Sequence, residues 1–191
     1  MAATPSTMRS LGAPLPAFQL PDTRGWRGGA SADLVGDDFL RGGGPAVVAF
    51  ICNHCPFVVH IRAGLVEFGK YCSDAGVRFV AISSNDASTY PQDGPEPMAA
   101  EARRHGYTFP YLYDESQQVA RAFDAACTPD FFVFDGEGKL AYRGQFDASR
   151  PSNQVPVTGA DLRAAVDALL AGKAPNADQT PSIGCNIKWK R

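Results

Sequence analysis

The chain has 191 residues, 45% of them hydrophobic, and this length fits one folded domain better than two. Its 18 basic and 20 acidic residues nearly cancel, so it lacks the positive excess typical of proteins that bind nucleic acid or an anionic membrane surface. We therefore expect neither nucleic acid nor a membrane as a partner.

The N-terminal residues contain no basic start followed by an apolar stretch, so the sequence predicts no secretory signal. No apolar run approaches the length that spans a bilayer. Both observations favour a cytoplasmic protein. Thiols are kept reduced in that compartment, so the five cysteines indicate redox chemistry or metal binding rather than structural disulfides.

Strand-like and helix-like segments alternate along the chain, which predicts an α/β fold. The strand-like runs, the last of which is a hairpin around a turn at 135–138, lie at residues 14–28, 45–51, 77–83, 108–114 and 127–147. The helix-like segments have apolar residues at spacings of three and four and lie at residues 58–72, 96–105, 115–125 and from Thr158 onward. The strand, helix, strand order of residues 45–83 predicts a βαβ unit with parallel strands.

The predicted boundaries are a flexible N-terminus at residues 1–12, one domain at 13–172 and an irregular, proline-rich tail at 173–191. At the start of the last predicted helix, Thr158 and Asp161 resemble a capping box.

Two cysteines stand three residues apart where the strand at 45–51 ends, in the sequence Cys52-Asn53-His54-Cys55. A structural zinc site needs four ligands, and this is the only such pair in the chain. The other interpretation is a redox dithiol at a strand-to-helix junction, where the helix N-terminus lowers the pKa of the leading cysteine. Cys52 is then the nucleophile that forms a mixed disulfide with the substrate, and Cys55 resolves it.

The two residues between the cysteines have predicted roles of their own. Asn53 is a good helix N-cap, which would put Pro56 in the first turn, where a missing N–H costs little. His54 adds positive character near Cys52, which favours the reduced thiolate and makes the disulfide a stronger oxidant. The alternative for His54 is a solvated side chain with no effect on the thiol.

The dithiol after a buried strand, Thr128-Pro129 before the next strand, the hairpin and the final helix together resemble the thioredoxin fold. The resemblance implies a central mixed sheet flanked by helices, here with an N-terminal strand or hairpin extension and an irregular C-terminal tail. It also implies that Pro129 is a cis proline facing the dithiol, and that Thr128 contacts the substrate. The alternative is a trans proline that only opens an edge strand.

More narrowly, the chain is similar to the redoxins of the alkyl hydroperoxide reductase and thiol-specific antioxidant superfamily, and within it to peroxiredoxin-like proteins that carry a CxxC motif. The similarity covers nearly the whole chain. The segments that carry it are residues 12–25, 83–93, 126–144 and 180–190.

The chain departs from true peroxiredoxins at the positions that polarise a peroxide. Those proteins place a threonine or serine three residues before the peroxidatic cysteine and a proline before that, and they add an arginine from a later strand. Aligned on Cys55, the threonine position holds Cys52, the proline position holds Val48, and the arginine position falls near Pro129. Disulfide exchange is therefore favoured over peroxide reduction. The buried acid of thioredoxin corresponds to Ala46.

Three cysteines lie outside the pair. Cys72 continues the apolar helix stripe, which predicts a buried, unreactive thiol. Cys127 and Cys185 are the candidates for a third redox thiol. Strand alternation would turn Cys127 away from the face that Thr128 uses, and Cys185 lies in the tail, where a merely accessible cysteine is the other interpretation.

The sequence thus predicts a thioredoxin-like oxidoreductase that uses a Cys52–Cys55 dithiol. The alternatives are a thiol peroxidase using Cys55 or Cys52 and a protein that binds a soft metal ion through the pair. The expected partners are protein or small-molecule disulfides or peroxides and a thiol electron donor, and no cofactor is expected beyond the redox-active disulfide itself. The substrate, the direction of electron flow and the oligomeric state do not follow from the sequence.

Overall fold

A computed structural model describes residues 3–26 and 33–190. The strands of these residues are β1 (Ala3–Pro5), β2 (Gln19–Pro21), β3 (Leu34–Gly36), β4 (Ala46–Phe50), β5 (Arg78–Ser83), β6 (Tyr111–Tyr113), β7 (Cys127–Thr128), β8 (Asp130–Phe134), β9 (Leu140–Gly144) and β10 (Ile183–Asn186). Their α-helices are α1 (Pro56–Asp74), α2 (Pro95–His105), α3 (Gln118–Ala122) and α4 (Ala160–Leu170).

The central sheet has five strands in the order β6-β5-β4-β8-β9. Its middle strand, β4, is apolar and buried at every position, as expected of a strand that is covered on both faces. β4 pairs in parallel with β5 and antiparallel with β8, so the sheet is mixed. The predicted βαβ unit, formed by β4, α1 and β5, is confirmed.

A separate hydrophobic cluster covers each face of this sheet. Residues of α1, α2 and α4 belong to one cluster, and residues of α3 and of segment 15–20 belong to the other. The predicted apolar stripe of α1 is buried in the first cluster at Val58, Ile61, Leu65, Phe68 and Cys72. Among residues 3–26 and 33–190, no helix combines the length and the apolarity needed to cross a bilayer.

Both chain ends are more regular than the sequence predicts. Ala3–Pro5, expected in a flexible N-terminus, form β1, and Ile183–Asn186, expected in an irregular tail, form β10. β10 lies between β1 and β7 in a three-stranded antiparallel sheet. Short strands whose partners are distant in the chain carry no periodic signal of their own, because the pairing satisfies their backbone groups without requiring an amphipathic pattern.

One local prediction is also corrected. The last helix begins at Ala160 rather than Thr158, and no capping box forms, because the Asp161 carboxylate accepts a hydrogen bond from Gln145 Nε2 at 2.5 Å. The predicted N-terminal strand or hairpin extension is the antiparallel pair β2 and β3, with a short 3₁₀ turn at Thr23–Gly25 after β2. Positions 27 and 28 of that predicted segment lie outside the described residues.

Candidate redox site

The cysteine pair lies where β4 ends and α1 begins. Cys55 is the N-cap residue of α1, and Pro56 occupies the first helical position, where its missing N–H costs no hydrogen bond. Cys52 lies before the helix, so only Cys55 belongs to the helix N-terminus. Cys52 is 2% exposed and Cys55 is 0% exposed. All five cysteines of the chain are free thiols.

Asn53 is not the N-cap that the sequence predicts. Its backbone N–H donates to Asp93 Oδ1 at 2.9 Å, and its side-chain Nδ2 donates to the Gln92 carbonyl oxygen at 2.8 Å. Its Oδ1 accepts a hydrogen bond from the Tyr111 hydroxyl at 3.0 Å. These bonds tie the cysteine loop to β6 and to the segment before α2, so the side chain is not available to cap α1, which begins at Pro56.

The surroundings of the two sulfurs shift their pKa values in opposite directions. The Cys52 thiol, the Cys185 thiol and the Val58 N–H interact with the Cys55 sulfur and lower the pKa of Cys55 to about 5, although burial opposes this. The Cys55 thiol, burial and the Asp93 carboxylate together raise the pKa of Cys52 well above its usual value. The thiolate therefore belongs to Cys55, at the helix N-terminus, and the sequence prediction of a lowered pKa at Cys52 is wrong.

The segment before β8 faces both sulfurs. The Thr128–Pro129 peptide bond is cis, as the resemblance implied, and the alternative of a trans proline is excluded. Thr128 Oγ1 lies 3.6 Å from Cys52 Sγ. The Thr128 carbonyl oxygen lies 3.1 Å from Cys55 Sγ, where it accepts a hydrogen bond whenever Cys55 is protonated. Thr128 thus bridges the two cysteines.

Asp93 is the site residue that sequence reasoning missed. Its side chain is fully buried and accepts hydrogen bonds from the Asn53 N–H at 2.9 Å and from Asn85 Nδ2 at 2.8 Å. Its Oδ2 also lies 2.6 Å from His54 Nδ1. Asp93 belongs to the polar, proline-broken stretch at 85–97, and such stretches are normally exposed, so the local sequence carried no signal of burial.

His54 is held rather than solvated. Its ring stacks on Tyr90, with ring centroids 5.5 Å apart and planes 2° from parallel. His54 Nδ1 lies 4.0 Å from Cys52 Sγ, close enough to influence the thiol. However, a protonated His54 is paired with the Asp93 carboxylate, so the positive character expected beside Cys52 is offset by a negative charge.

The remaining cysteines have different surroundings. Cys72 is buried under α1 with a pKa raised to about 12 by burial, which fits the unreactive thiol that the stripe predicts. Cys127 is buried, its thiol donates to the Pro129 carbonyl oxygen at 3.5 Å, and burial raises its pKa. Cys185 Sγ lies 2.9 Å from Cys55 Sγ, so the tail brings a third sulfur into the site.

One group of metal-ligating side chains is found among the described residues. Cys52 Sγ, His54 Nδ1 and an Asp93 carboxylate oxygen lie within 4.8 Å of one another. One sulfur, one nitrogen and one oxygen suit a borderline ion such as Zn²⁺ better than the Cu(I) that two thiolates would favour. The bonds described above already satisfy these atoms without an ion.

Two buried thiols that interact at a helix N-terminus, against a cis-proline turn on a mixed sheet, define a thioredoxin-fold redox protein. The AhpC/TSA family matches residues 11–143, and the chain belongs to that family.

Solved structures confirm the predicted fold. An uncharacterized conserved protein from Geobacillus kaustophilus is 50% identical with a TM-score of 0.94, over 100% of this chain and 97% of that one. A hypothetical protein from Sinorhizobium meliloti 1021 is 49% identical with a TM-score of 0.92, over 98% of each chain. A thiol:disulfide interchange protein of the thioredoxin family from Chlorobium tepidum TLS is 18% identical with a TM-score of 0.62, over 84% of this chain and 98% of that one, which supports the fold alone. No functionally curated protein matches the sequence.

Proposed function

We propose that the protein is a thiol–disulfide oxidoreductase whose Cys52–Cys55 pair cycles between dithiol and disulfide through a mixed disulfide with its substrate. Membership of the AhpC/TSA family supports a thiol-based oxidoreductase. The observation that carries the finer proposal is the contact of both sulfurs with Thr128, combined with a pKa of about 5 at Cys55.

The low pKa of Cys55 sets the order of steps. In the oxidising direction, a substrate thiolate attacks Cys52 Sγ, the Cys52–Cys55 bond breaks, and Cys55 departs as a thiolate. Attack at Cys52 is favoured because a thiol with a lower pKa is the better leaving group. A second substrate thiolate then attacks the substrate sulfur of the mixed disulfide and releases Cys52. The substrate loses two electrons, the cysteine pair gains them, and Cys52 takes up one proton.

The residues around Cys52 position its sulfur in this proposal. His54 Nδ1 is held by its bond to Asp93 Oδ2, and this places the imidazole beside the thiol, 4.0 Å from Cys52 Sγ. Asn53 fixes the loop through its bonds to neighbouring segments. The hydroxyl of Thr128 orients the Cys52 sulfur, and the Thr128-Pro129 turn would meet the substrate beside it.

The test is turnover of a disulfide substrate such as an oxidised peptide, with a thiol reductant as the electron donor. Cys52→Ser should abolish turnover, whereas Cys55→Ser should accumulate a mixed disulfide at Cys52 that intact-mass measurement detects. Cys72→Ser is the matched control, because it removes a buried thiol outside the site, and it should keep the wild-type rate. Turnover that persists in Cys52→Ser would refute the proposal.

Reduction of a peroxide is the second candidate, and the lowered pKa of Cys55 favours it. A Cys55 thiolate would attack the peroxide O–O bond, become a sulfenic acid and release water or an alcohol; a neighbouring thiol would then condense with it and release water. Stopped-flow consumption of hydrogen peroxide separates the two functions. A fast rate that survives Cys52→Ser but not Cys55→Ser would favour the peroxidase.

A further inference from the structure

We infer that Cys185 is a second disulfide partner of Cys55, so that Cys55 is one sulfur shared between two alternative disulfides. The Cys52–Cys55 half of this scheme rests on the proposed function, whereas the Cys55–Cys185 half rests on the structure of the tail. The two sulfur atoms of Cys55 and Cys185 lie 2.9 Å apart. A disulfide bond is about 2.05 Å long, so only a small movement separates this contact from a bond.

Backbone pairing holds Cys185 at this position. Within the three-stranded sheet, Cys185 pairs with Ala3 on one side and with Thr128 on the other, next to the cis-proline turn. Beyond the strand, the Ile187 N–H donates to the Ala126 carbonyl oxygen at 3.1 Å. The Cys185 sulfur is therefore held in place by pairing with β7, and Thr128 of this strand contacts both Cys52 and Cys55.

The residue before Cys185 shows that this close approach is built into the sequence. A Cβ atom at Gly184 would lie 2.0 Å from the Thr128 carbonyl oxygen and 3.1 Å from the Pro129 nitrogen. Those are backbone atoms, which cannot swing aside as a flexible side chain can. Only glycine lets the tail strand come near enough for the next side chain to reach Cys55.

The protonation states of the two thiols suit a hydrogen bond in which Cys185 donates and Cys55 accepts. Cys185 is 3% exposed, and burial together with the neighbouring Cys55 raises its pKa to about 12. In the reduced protein it therefore stays protonated and donates to the Cys55 thiolate, which is one of the causes of the lowered pKa of Cys55. The contact between the two sulfurs is thus a hydrogen bond in the reduced state and the site of a bond in the oxidised state.

The exchange balances within the chain. Starting from the Cys52–Cys55 disulfide, the Cys185 sulfur attacks Cys55 Sγ, the Cys55–Cys185 bond forms, and the Cys52–Cys55 bond breaks. The proton of Cys185 is lost to solvent and Cys52 takes up another, so no electrons are gained or lost. Cys52 becomes a free thiol again while the disulfide is stored with the tail.

The test removes Cys52 and asks where Cys55 forms a bond. Trypsin places Cys52 and Cys55 together in residues 42–62, Cys185 in residues 174–188 and Cys127 in residues 122–139. In full-length Cys52→Ser, diamide, which accepts two electrons and two protons from a thiol pair, should yield a linked pair of peptides 42–62 and 174–188. Wild-type protein should give this linked pair together with peptide 42–62 that has lost two hydrogens.

Two further variants make the outcome decisive. Cys185→Ser should lose the linked pair and retain the Cys52–Cys55 disulfide. Gly184→Ala should lose most of the linked pair although every cysteine remains, whereas Gly44→Ala, whose added Cβ meets open space, should give the wild-type yield. Absence of the linked pair in folded Cys52→Ser, or linkage of Cys55 to peptide 122–139 instead, would overturn the inference.

The same data separate this inference from the proposed function. If disulfide substrates never oxidise the wild-type pair but diamide links Cys55 to Cys185, the proposed function fails and the inference stands. If wild-type turnover depends on Cys52 and Cys55 while Cys52→Ser forms no linked pair, the inference fails and the proposed function stands.

Discussion

At the scale of single residues, identical thiols acquire opposite acidities from their immediate neighbours. Cys55 lies at the N-terminus of α1 and interacts with the Val58 N–H and two thiols, all of which favour its anion. Cys52 lies near the Asp93 carboxylate, which disfavours a second negative charge. The helix begins two residues later than an N-cap at Asn53 would place it, so Cys55 rather than Cys52 lies at the helix N-terminus.

This acidity predicts how the reduction potential of the pair depends on pH. A pKa lowered to about 5 stabilises the reduced protein at higher pH, and this stabilisation is lost as the pH falls through 5. Below that pH reduction takes up two protons, and above it only one. The potential should therefore fall by about 60 mV per pH unit below the break and by about 30 mV above it.

The measurement is redox equilibration with a glutathione buffer, with the disulfide read on peptide 42–62. Cys72→Ser should reproduce the break, and Cys185→Ala should move it to higher pH because it removes a hydrogen-bond donor to the Cys55 thiolate. A slope of about 60 mV per pH unit that continues through neutral pH would contradict the assigned acidity.

At the scale of elements, α1 has two separate tasks. Its N-terminus lies at the site, and its apolar stripe anchors the helix on the sheet through residues such as Leu65, which is fully buried. Because one rigid helix does both, packing far from the sulfurs maintains the position of its N-terminus. β10 has a comparable double task, since it closes the small sheet and carries Cys185.

Leu65→Ala should therefore lower the free energy of unfolding by about 2–5 kcal/mol, the usual cost of a buried leucine truncated to alanine. Leu170→Ala is the matched control, because Leu170 is 46% exposed at the end of α4, and it should cost less than about 0.5 kcal/mol. Urea denaturation of the reduced proteins measures both. Equal losses for the two variants would mean that the stripe of α1 does not anchor the helix.

At the scale of the whole molecule, the carboxyl group of Asp130 is buried within the central sheet. Asp130 follows Pro129 in β8 and pairs with Phe50 across the sheet, and burial raises its pKa to about 7. Within the described residues its Oδ1 has no hydrogen-bond partner. Folding around the sheet therefore disfavours the ionised form of this side chain at neutral pH.

The pH dependence of global stability follows from this shift. The folded pKa of Asp130 lies above its unfolded value near 3.9, so the folded state binds more protons between about pH 4 and 7, and stability should fall as the pH rises through that window. Asp130→Asn should remove this slope. Relative to wild type, its free energy of unfolding should increase by up to about 4 kcal/mol between pH 4 and pH 8, at about 1.4 kcal/mol per pKa unit.

Chemical denaturation at a series of pH values measures how the free energy of unfolding of Asp130→Asn, relative to wild type, changes with pH. A fixed cost of burying the asparagine amide shifts all values equally, so it does not affect this change. Glu137→Gln, in the exposed turn between β8 and β9, is the control and should show no such trend. A difference that stays constant with pH would mean that Asp130 is ionised without penalty.

Patterns confined to short stretches were predictable. The stripe at Val58, Ile61 and Leu65 predicted α1, the apolar run at 45–51 predicted β4, and the turn at 135–138 predicted the hairpin of β8 and β9. These patterns reflect periodicities of a few residues, which the local chain imposes by itself. The strands at the two chain ends had no such pattern because they are stabilised by each other.

The sequence by itself determined the class of the protein: a dithiol after a buried strand and a proline before the next one are sufficient to indicate a thiol redox site on this fold. Only the tertiary structure decided how that site is completed. Asp93 lies 40 residues from Asn53 in the chain, and Cys185 lies 130 residues from Cys55. Contacts over such separations depend on which strands pair and how the sheet is covered, and these contacts, not the motif, determine which sulfur holds the charge and which third sulfur it meets.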